Sequence, residues 1–338
     1  MDALPQFRVL NPATLDEAIA ARAANPDSKP LGGGTDLVVN IRRGIVAPAV
    51  LIDMNRVTEL HVIKADIDTL EIGASVRLSD LAQHPDVRKF YPGVASAAGI
   101  IAGPTHRNMG TVGGNLCLDT RCIFYNQSAW WREANKHCLK TVGTICHVAP
   151  KSRGVCFATF SGDLAPAFLA LGAEIDIAGP QGSRTLPLEK LYIGFARQDV
   201  PVTETQGDGK YFLSLREGEI VTRVRAKNTP GLRTAYDKIR IRRSIEFPVA
   251  GVAVALRREG DRLAELRIAI TGTNPRPILL AGTQELCGGP VDDRVEKGID
   301  ALVRDQSMAM KTTFTPGHYR RRVAGVLAMR LVKKLFAA

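Results

Sequence analysis

Thr111-Val112-Gly113-Gly114-Asn115-Leu116 and Ser161-Gly162-Asp163-Leu164 bound the stretch on which the chain turns, and five of its six cysteines lie between them, at Cys117, Cys122, Cys138, Cys146 and Cys156. Paired glycines behind a threonine let backbone N–H groups converge without Cβ obstruction, which suits an anion. A tight group of cysteines in a chain that opens Met1-Asp2-Ala3-Leu4-Pro5-Gln6, without the basic patch and apolar run of a secretory leader, reads as metal or cluster ligation rather than a disulfide framework. With no run of about 18 apolar residues either, a cytoplasmic protein without membrane segments is expected.

Working outward, the 338 residues are 45% hydrophobic and 23% charged, enough for two or three domains with a large core. The net charge of +11 suits an acidic partner, but the basic residues are dispersed and no nucleic-acid-binding motif accompanies them, so nucleic acid is not expected. Upstream, Thr14 is placed to cap a helix over Leu15 to Ala24. Lys29-Pro30-Leu31-Gly32-Gly33-Gly34-Thr35-Asp36 then forms a second glycine loop, able to suit a diphosphate but taken alone read first as a tight turn; it matches neither the Walker loop nor the Gly-x-Gly-x-x-Gly fingerprint. Thr35 and Asp36 can hydrogen-bond a ribose or a phosphate-bound water. Short strands are predicted at Leu51 to Met54 and Leu70 to Ala74, a helix at Leu78 to Gln83, and a small-residue helix at Val94 to Ile101 able to pack on a flat neighbour. The two glycine loops could hold opposite ends of one long cofactor. Downstream, Ala170 to Ile177 and Phe212 to Leu215 read as strands. After a boundary near Arg225 to Pro230 come strands at Val249 to Arg257 and Leu263 to Thr271, then helices at Asp292 to Val303 and Pro316 to Phe336, the last with mostly solvated arginines. No acyl- or phosphoryl-transfer motif occurs.

Taken in order, Gly32-Gly33-Gly34-Thr35-Asp36-Leu37, Ile72-Gly73-Ala74, Thr111 to Leu116, Ser161-Gly162-Asp163-Leu164-Ala165-Pro166, Arg184 to Leu188, Gly218 to Val221, Lys238 ahead of Arg243, and Tyr319-Arg320-Arg321 resemble the FAD-binding medium subunit of the xanthine oxidase family of molybdenum hydroxylases. The resemblance implies an α+β fold: a two-part FAD-binding domain, residues 1–55 and 56–225, and a C-terminal sheet-and-helix domain, 226–338. It implies non-covalent FAD, with Gly32, Gly33, Gly34, Thr35 and Asp36 at the diphosphate, and Thr111, Gly114 and the Asn115 side chain beside it. It puts Asp163 on ribityl or ribose hydroxyls, Lys238 near the isoalloxazine, and Lys29, Leu31, Ala102 and Leu188 against the cofactor.

In that family the Gly-Gly-Asn loop and the Asp-Leu element stand much closer together, whereas here 47 residues separate Asn115 from Asp163. So long an excess, about 117–157, needs something to order it. The spacing Cys122-x15-Cys138-x7-Cys146-x9-Cys156 lacks a zinc knuckle, although His137 and His147 keep a mixed zinc site open. The insertion resembles that of the 4-hydroxybenzoyl-CoA reductases within the family, which implies a [4Fe-4S] cluster on Cys122, Cys138, Cys146 and Cys156, with Cys117 a buried thiol outside it. It further implies a large molybdenum-cofactor subunit, a small subunit with two [2Fe-2S] clusters, a dimer of heterotrimers, and electrons from ferredoxin spent on reducing 4-hydroxybenzoyl-CoA to benzoyl-CoA. An oxidative molybdenum hydroxylase, a free-standing flavin oxidase and a zinc-stiffened binding protein are the alternatives.

Overall fold

A computed structural model describes residues 4–195, 206–242 and 244–338. Arg243 lies outside them. The first part begins with β1 (Arg8–Leu10), α1 (Leu15–Ala24), β2 (Lys29–Leu31), α2 (Leu37–Arg42) and β3 (Val50–Asp53). Thr14 caps α1 by accepting the Glu17 N–H at 3.2 Å, with Asp16 and Glu17 in the first turn where the helix dipole favours them. The strands form a parallel sheet in the order β1-β3-β2, and Ile52, Val50 and Ala18 close a small core beneath it.

The second part runs through β4 (Ile63–Ala65), β5 (Thr69–Gly73), α3 (Leu78–Gln83), α4 (Pro85–Phe90), α5 (Pro92–Gly99), α6 (Pro104–Arg107), α7 (Val112–Leu116), α8 (Ala129–Ala134), α9 (Leu164–Ala170), β6 (Glu174–Gly179), β7 (Gly182–Pro187) and β8 (Ile220–Lys227). Its antiparallel sheet has the order β4-β5-β8-β6-β7. The strand expected from Ala170 starts only at Glu174, because Leu164 to Ala170 is a fully buried helix and Gly172, at φ +68, makes the turn between them. Periodicity cannot separate a short buried helix from a buried strand. Phe212 to Leu215 is likewise no regular strand; Leu213 makes a single bridge with Tyr192.

The third part is β9 (Leu232–Ile239), β10 (Ala250–Glu259), β11 (Arg262–Thr271), β12 (Ile278–Leu279), α10 (Asp293–Gln306) and α11 (Gly317–Ala337). Its antiparallel sheet, β12-β11-β10-β9, carries α10 and α11 on one face. The fold is α+β, as expected. Along β10 the side chains alternate: Val252, Val254 and Leu256 meet α10 and α11, while Ala253 and Ala255 join the core of the second part. The buried helix α9 packs on β10, and the small-residue helix α5 lies close against β9, with the Gly93 N–H donating to Thr234 Oγ1 at 3.1 Å and the Ser96 hydroxyl to the Tyr236 carbonyl at 3.1 Å.

One arginine of α11 departs from the solvated pattern. Arg320 is fully buried and donates to the carbonyls of Val249, Met310 and Gly272 and to Thr312 Oγ1. Burial draws its guanidinium down to about 10. It fastens the helix to the strap at 308–315.

Candidate functional site

The first glycine loop joins β2 to α2. Gly34 has φ +69, a conformation open to glycine, and a Cβ on Gly33 would collide with the Met109 carbonyl. Among the described residues, the N–H groups of Gly33, Gly34 and Thr35 donate to no protein acceptor, so three donors are left on a half-exposed turn. That arrangement fits a diphosphate. Lys29 is exposed and Leu31 partly so on the strand before it. Asp36 makes no helix cap. It accepts from Asn40 Nδ2 at 3.1 Å and pairs with Arg121.

The second glycine loop packs directly on the first. Thr111 Oγ1 would lie 2.6 Å from a Cβ on Gly32, and Thr35 Oγ1 3.5 Å from one on Gly110. The two loops are therefore one continuous wall, not opposite ends of a long site. Thr111 caps α7 by accepting the Gly114 N–H at 3.2 Å. Asn115 is buried, and its Oδ1 accepts the Leu164 N–H at 3.0 Å, so the asparagine joins this loop to the start of α9 across the whole insertion. Ala102 has φ +44, a strained value for a residue with a Cβ, in the turn that leads into this wall.

Asp163 and Lys238 are brought together. Lys238 Nζ lies 2.9 Å from Asp163 Oδ1, the Tyr236 hydroxyl donates to the same oxygen at 2.7 Å, and both charged side chains are almost wholly buried. Burial pushes the Asp163 carboxyl up, opposed by the Lys238 ammonium and the Tyr236 hydroxyl. Asp163 is thus held by protein donors on β9, and Lys238 also donates to the Glu246 carbonyl at 3.1 Å. Leu188 is a core residue, fully buried, with its N–H on the Ala173 carbonyl.

A family model described as the FAD binding domain in molybdopterin dehydrogenase matches residues 5–226, and one described as the CO dehydrogenase flavoprotein C-terminal domain matches 234–335. The chain belongs to the molybdopterin dehydrogenase flavoprotein family. This flavoprotein is 24% identical over 332 residues to the glyceraldehyde dehydrogenase medium chain of Sulfolobus acidocaldarius, covering 98% of this chain and 99% of that one. It is 28% identical to the aldehyde oxidoreductase FAD-binding subunit of Escherichia coli (97% and 98% covered) and to the carbon monoxide dehydrogenase medium chain of Hydrogenophaga pseudoflava (88% and 86%). Among solved structures, reconstituted CO dehydrogenase from Oligotropha carboxidovorans superposes with a TM-score of 0.78 at 22% identity, covering 99% of both chains, which shows the same fold.

The flavoprotein's insertion is pinned at its stem, where the Arg121 N–H donates to the Thr159 carbonyl at 2.7 Å and the Thr159 N–H returns the bond at 2.8 Å. Between these residues the one regular element among the described residues is the six-residue α8. Cys122, Cys138, Cys146 and Cys156 are all buried and all free of disulfides. The Cys138 and Cys146 thiols lie within electrostatic reach of Cys122, and Cys146 within reach of Cys156. Two of the four follow left-handed turns, at Lys136 and His137 (φ 58 and 56) before Cys138 and at Arg153 and Gly154 (φ 51 and 89) before Cys156. Gly143 has no room for a side chain, since a Cβ would lie 2.8 Å from the His137 carbonyl carbon. Burial pushes the Cys122 thiol up to about 11 and the Cys156 thiol up to about 12. Cys117, outside the group, is raised to about 12 by burial. No group of three or more His, Cys, Asp or Glu among the described residues is arranged to hold a metal ion. His147 Nε2 instead meets the His137 carbonyl at 2.5 Å.

Three residues that sequence reasoning passed over converge here. Arg121 reaches Asp36 in the first glycine loop. Lys140, only 5% exposed in its side chain, pairs with Asp119 at 2.6 Å, donates to Gly209 O at 3.1 Å and lies 4.5 Å over the Tyr125 ring. Arg132, also buried, donates to the carbonyls of Gln127, Arg43 and Gly44. A basic residue one position before Cys122, or two after Cys138, was the available signal; spacing alone does not distinguish it from a solvated charge.

Proposed function

We propose that this chain is the FAD and [4Fe-4S] electron-transfer subunit of a molybdenum-containing reductase that removes the phenolic hydroxyl of 4-hydroxybenzoyl-CoA, taking two electrons and two protons to give benzoyl-CoA and water. The observation that carries the reading is that four cysteines, all buried and free of disulfides and three of them in one apolar cluster, lie inside an insertion with almost no regular structure of its own. A four-iron cube holds its thiolates farther apart than one ion does, and its ligands can come from separate turns. When bound, the cluster and flavin supply one-electron and one- or two-electron carriers between a ferredoxin and the iron–sulfur and molybdenum subunits.

The chain's own residues have separable tasks in this reading. Gly33, Gly34 and Thr35 offer N–H groups to the diphosphate, and Thr111 and Asn115 fix the second wall. Lys238 holds a cation beside the buried Asp163. Lys140 sets buried positive charge near Cys156, favouring the thiolate form that ligation needs, and Arg132 lies buried within electrostatic reach of Cys138. The Ala158 N–H points at Cys156 Sγ, 3.5 Å away, the kind of contact that tunes a cluster.

The relatives' names support a second reading, since they refer to glyceraldehyde, aldehydes and carbon monoxide: the FAD subunit of an oxidative hydroxylase acting on another substrate. Anaerobically purified full-length chain decides on the cluster, with about four irons, matching acid-labile sulfide and one FAD expected per chain. Flavin without iron would sink the cluster and favour the oxidative reading. Cys146→Ser should abolish the cluster absorption while FAD stays; a full iron complement in that variant would remove Cys146 from the ligand set.

A further inference from the structure

We propose that Arg121 is a positioning residue for the flavin diphosphate, acting by neutralising Asp36 and so keeping the first glycine loop fit for an anion. The inference rests on the flavin reading above. The loop presents two opposed features within a few residues: free N–H groups at Gly33, Gly34 and Thr35, which invite negative charge, and the Asp36 carboxylate, which repels it. Asp36 is not consumed in capping, and its side chain is 28% exposed. Its cationic partner comes not from the loop or its sheet but from the stem of the insertion.

Arg121 is built to stay there. Its backbone is clamped to Thr159 through two hydrogen bonds, and its guanidinium lies 4.5 Å from the centre of the Phe247 ring with only 13% of the side chain exposed. Its Nε is buried without a protein acceptor, so the fork is not saturated by Asp36 alone. A like-charged carboxylate next to a diphosphate is strongly unfavourable at low effective dielectric, and an opposite charge already in place removes that cost before the cofactor arrives. The residue after Arg121 is Cys122, so the same stem serves both proposed cofactors.

The test is a charge cycle on the full-length chain, with FAD removed and titrated back by flavin fluorescence while iron content is followed separately. Arg121→Gln is expected to weaken FAD binding roughly 10- to 100-fold. Asp36→Asn alone should bind as well as wild type or more tightly, and the Asp36→Asn/Arg121→Gln pair should recover most of the loss. Unchanged affinity in Arg121→Gln, or a double variant as weak as the single, overturns the proposal. Should Arg121→Gln fail to fold, the double variant decides against wild type: an affinity near that of wild type supports the proposal, and one weaker by roughly 10-fold or more overturns it. Failure of the wild-type chain to take up FAD at all would instead strike the flavin reading.

Discussion

Lys140 shows what a single residue contributes inside the insertion. Its ammonium satisfies Asp119, the Thr120 hydroxyl and carbonyl and the Gly209 carbonyl, and the Tyr125 hydroxyl completes the Asp119 carboxylate at 2.9 Å. Removing one member of a mostly buried pair leaves the other charge unpaired in a poor solvent. Lys140→Met should therefore cost about 3 kcal/mol, the lower end of the usual range because Asp119 keeps partial access to water. A denaturant midpoint equal to wild type would contradict this. Residues such as Lys140, Arg132, Arg121 and Arg320 were the hardest to read from sequence. Each is an ordinary basic residue until the fold brings its acceptors, from one for Arg121 to four for Lys140 and Arg320, around it, and no local pattern encodes acceptors that arrive from other parts of the chain.

At the level of elements, most strands and helices of the third part were legible because each carries a complete period: alternation in β10 and β11, and a 3.6-residue stripe in α10. The buried helix α9 was not, since a run such as Leu164 to Ala170 has no polar face to reveal its period. The glycine loops were legible as turns. Their contact was not, because Gly33 is explained only by the Met109 carbonyl that touches it. In the five-stranded sheet, β7 is clasped to the turn before β8 by Arg184, whose Nε and NH2 each donate to Glu219 at 2.8 Å. Burial raises the Glu219 carboxyl, but the bonds from Arg184 and the Arg216 N–H outweigh it and hold the group below its ordinary value. A carboxyl depressed on folding contributes stability above its unfolded value, near pH 4.5, and loses it as pH falls through the folded one. Wild type should accordingly lose stability more steeply than Glu219→Gln between pH 5 and the acid limit, measured by urea unfolding at each pH; parallel slopes would exclude the clasp.

Across the whole molecule, the insertion rests on distant parts of the chain: Arg132 binds the loop at Arg43 and Gly44, Thr159 closes the stem, and the Ile123 N–H donates to the Thr312 carbonyl at 2.9 Å. Its own apolar contacts are two small clusters built largely around the cysteines. Order in the insertion should then depend on what the thiols hold. If the proposed cluster is present, removal of iron should open the exposed Lys136, Lys151 and Arg153 to trypsin, leaving two fragments that still co-elute through the shared core; equal cutting rates with and without iron would show that the order of the insertion does not depend on it.

The buried Arg320 extends that dependence to the end of the chain. It holds the strap at Met310 and Thr312, and Thr312 in turn meets Thr159 Oγ1 at 2.7 Å beside the stem. The cysteines are made in the first half of the polypeptide, yet the floor beneath them is finished by its last helix. On a ribosome these thiols emerge long before their seat exists, and a nascent chain leaves them uncovered until translation ends and α11 docks.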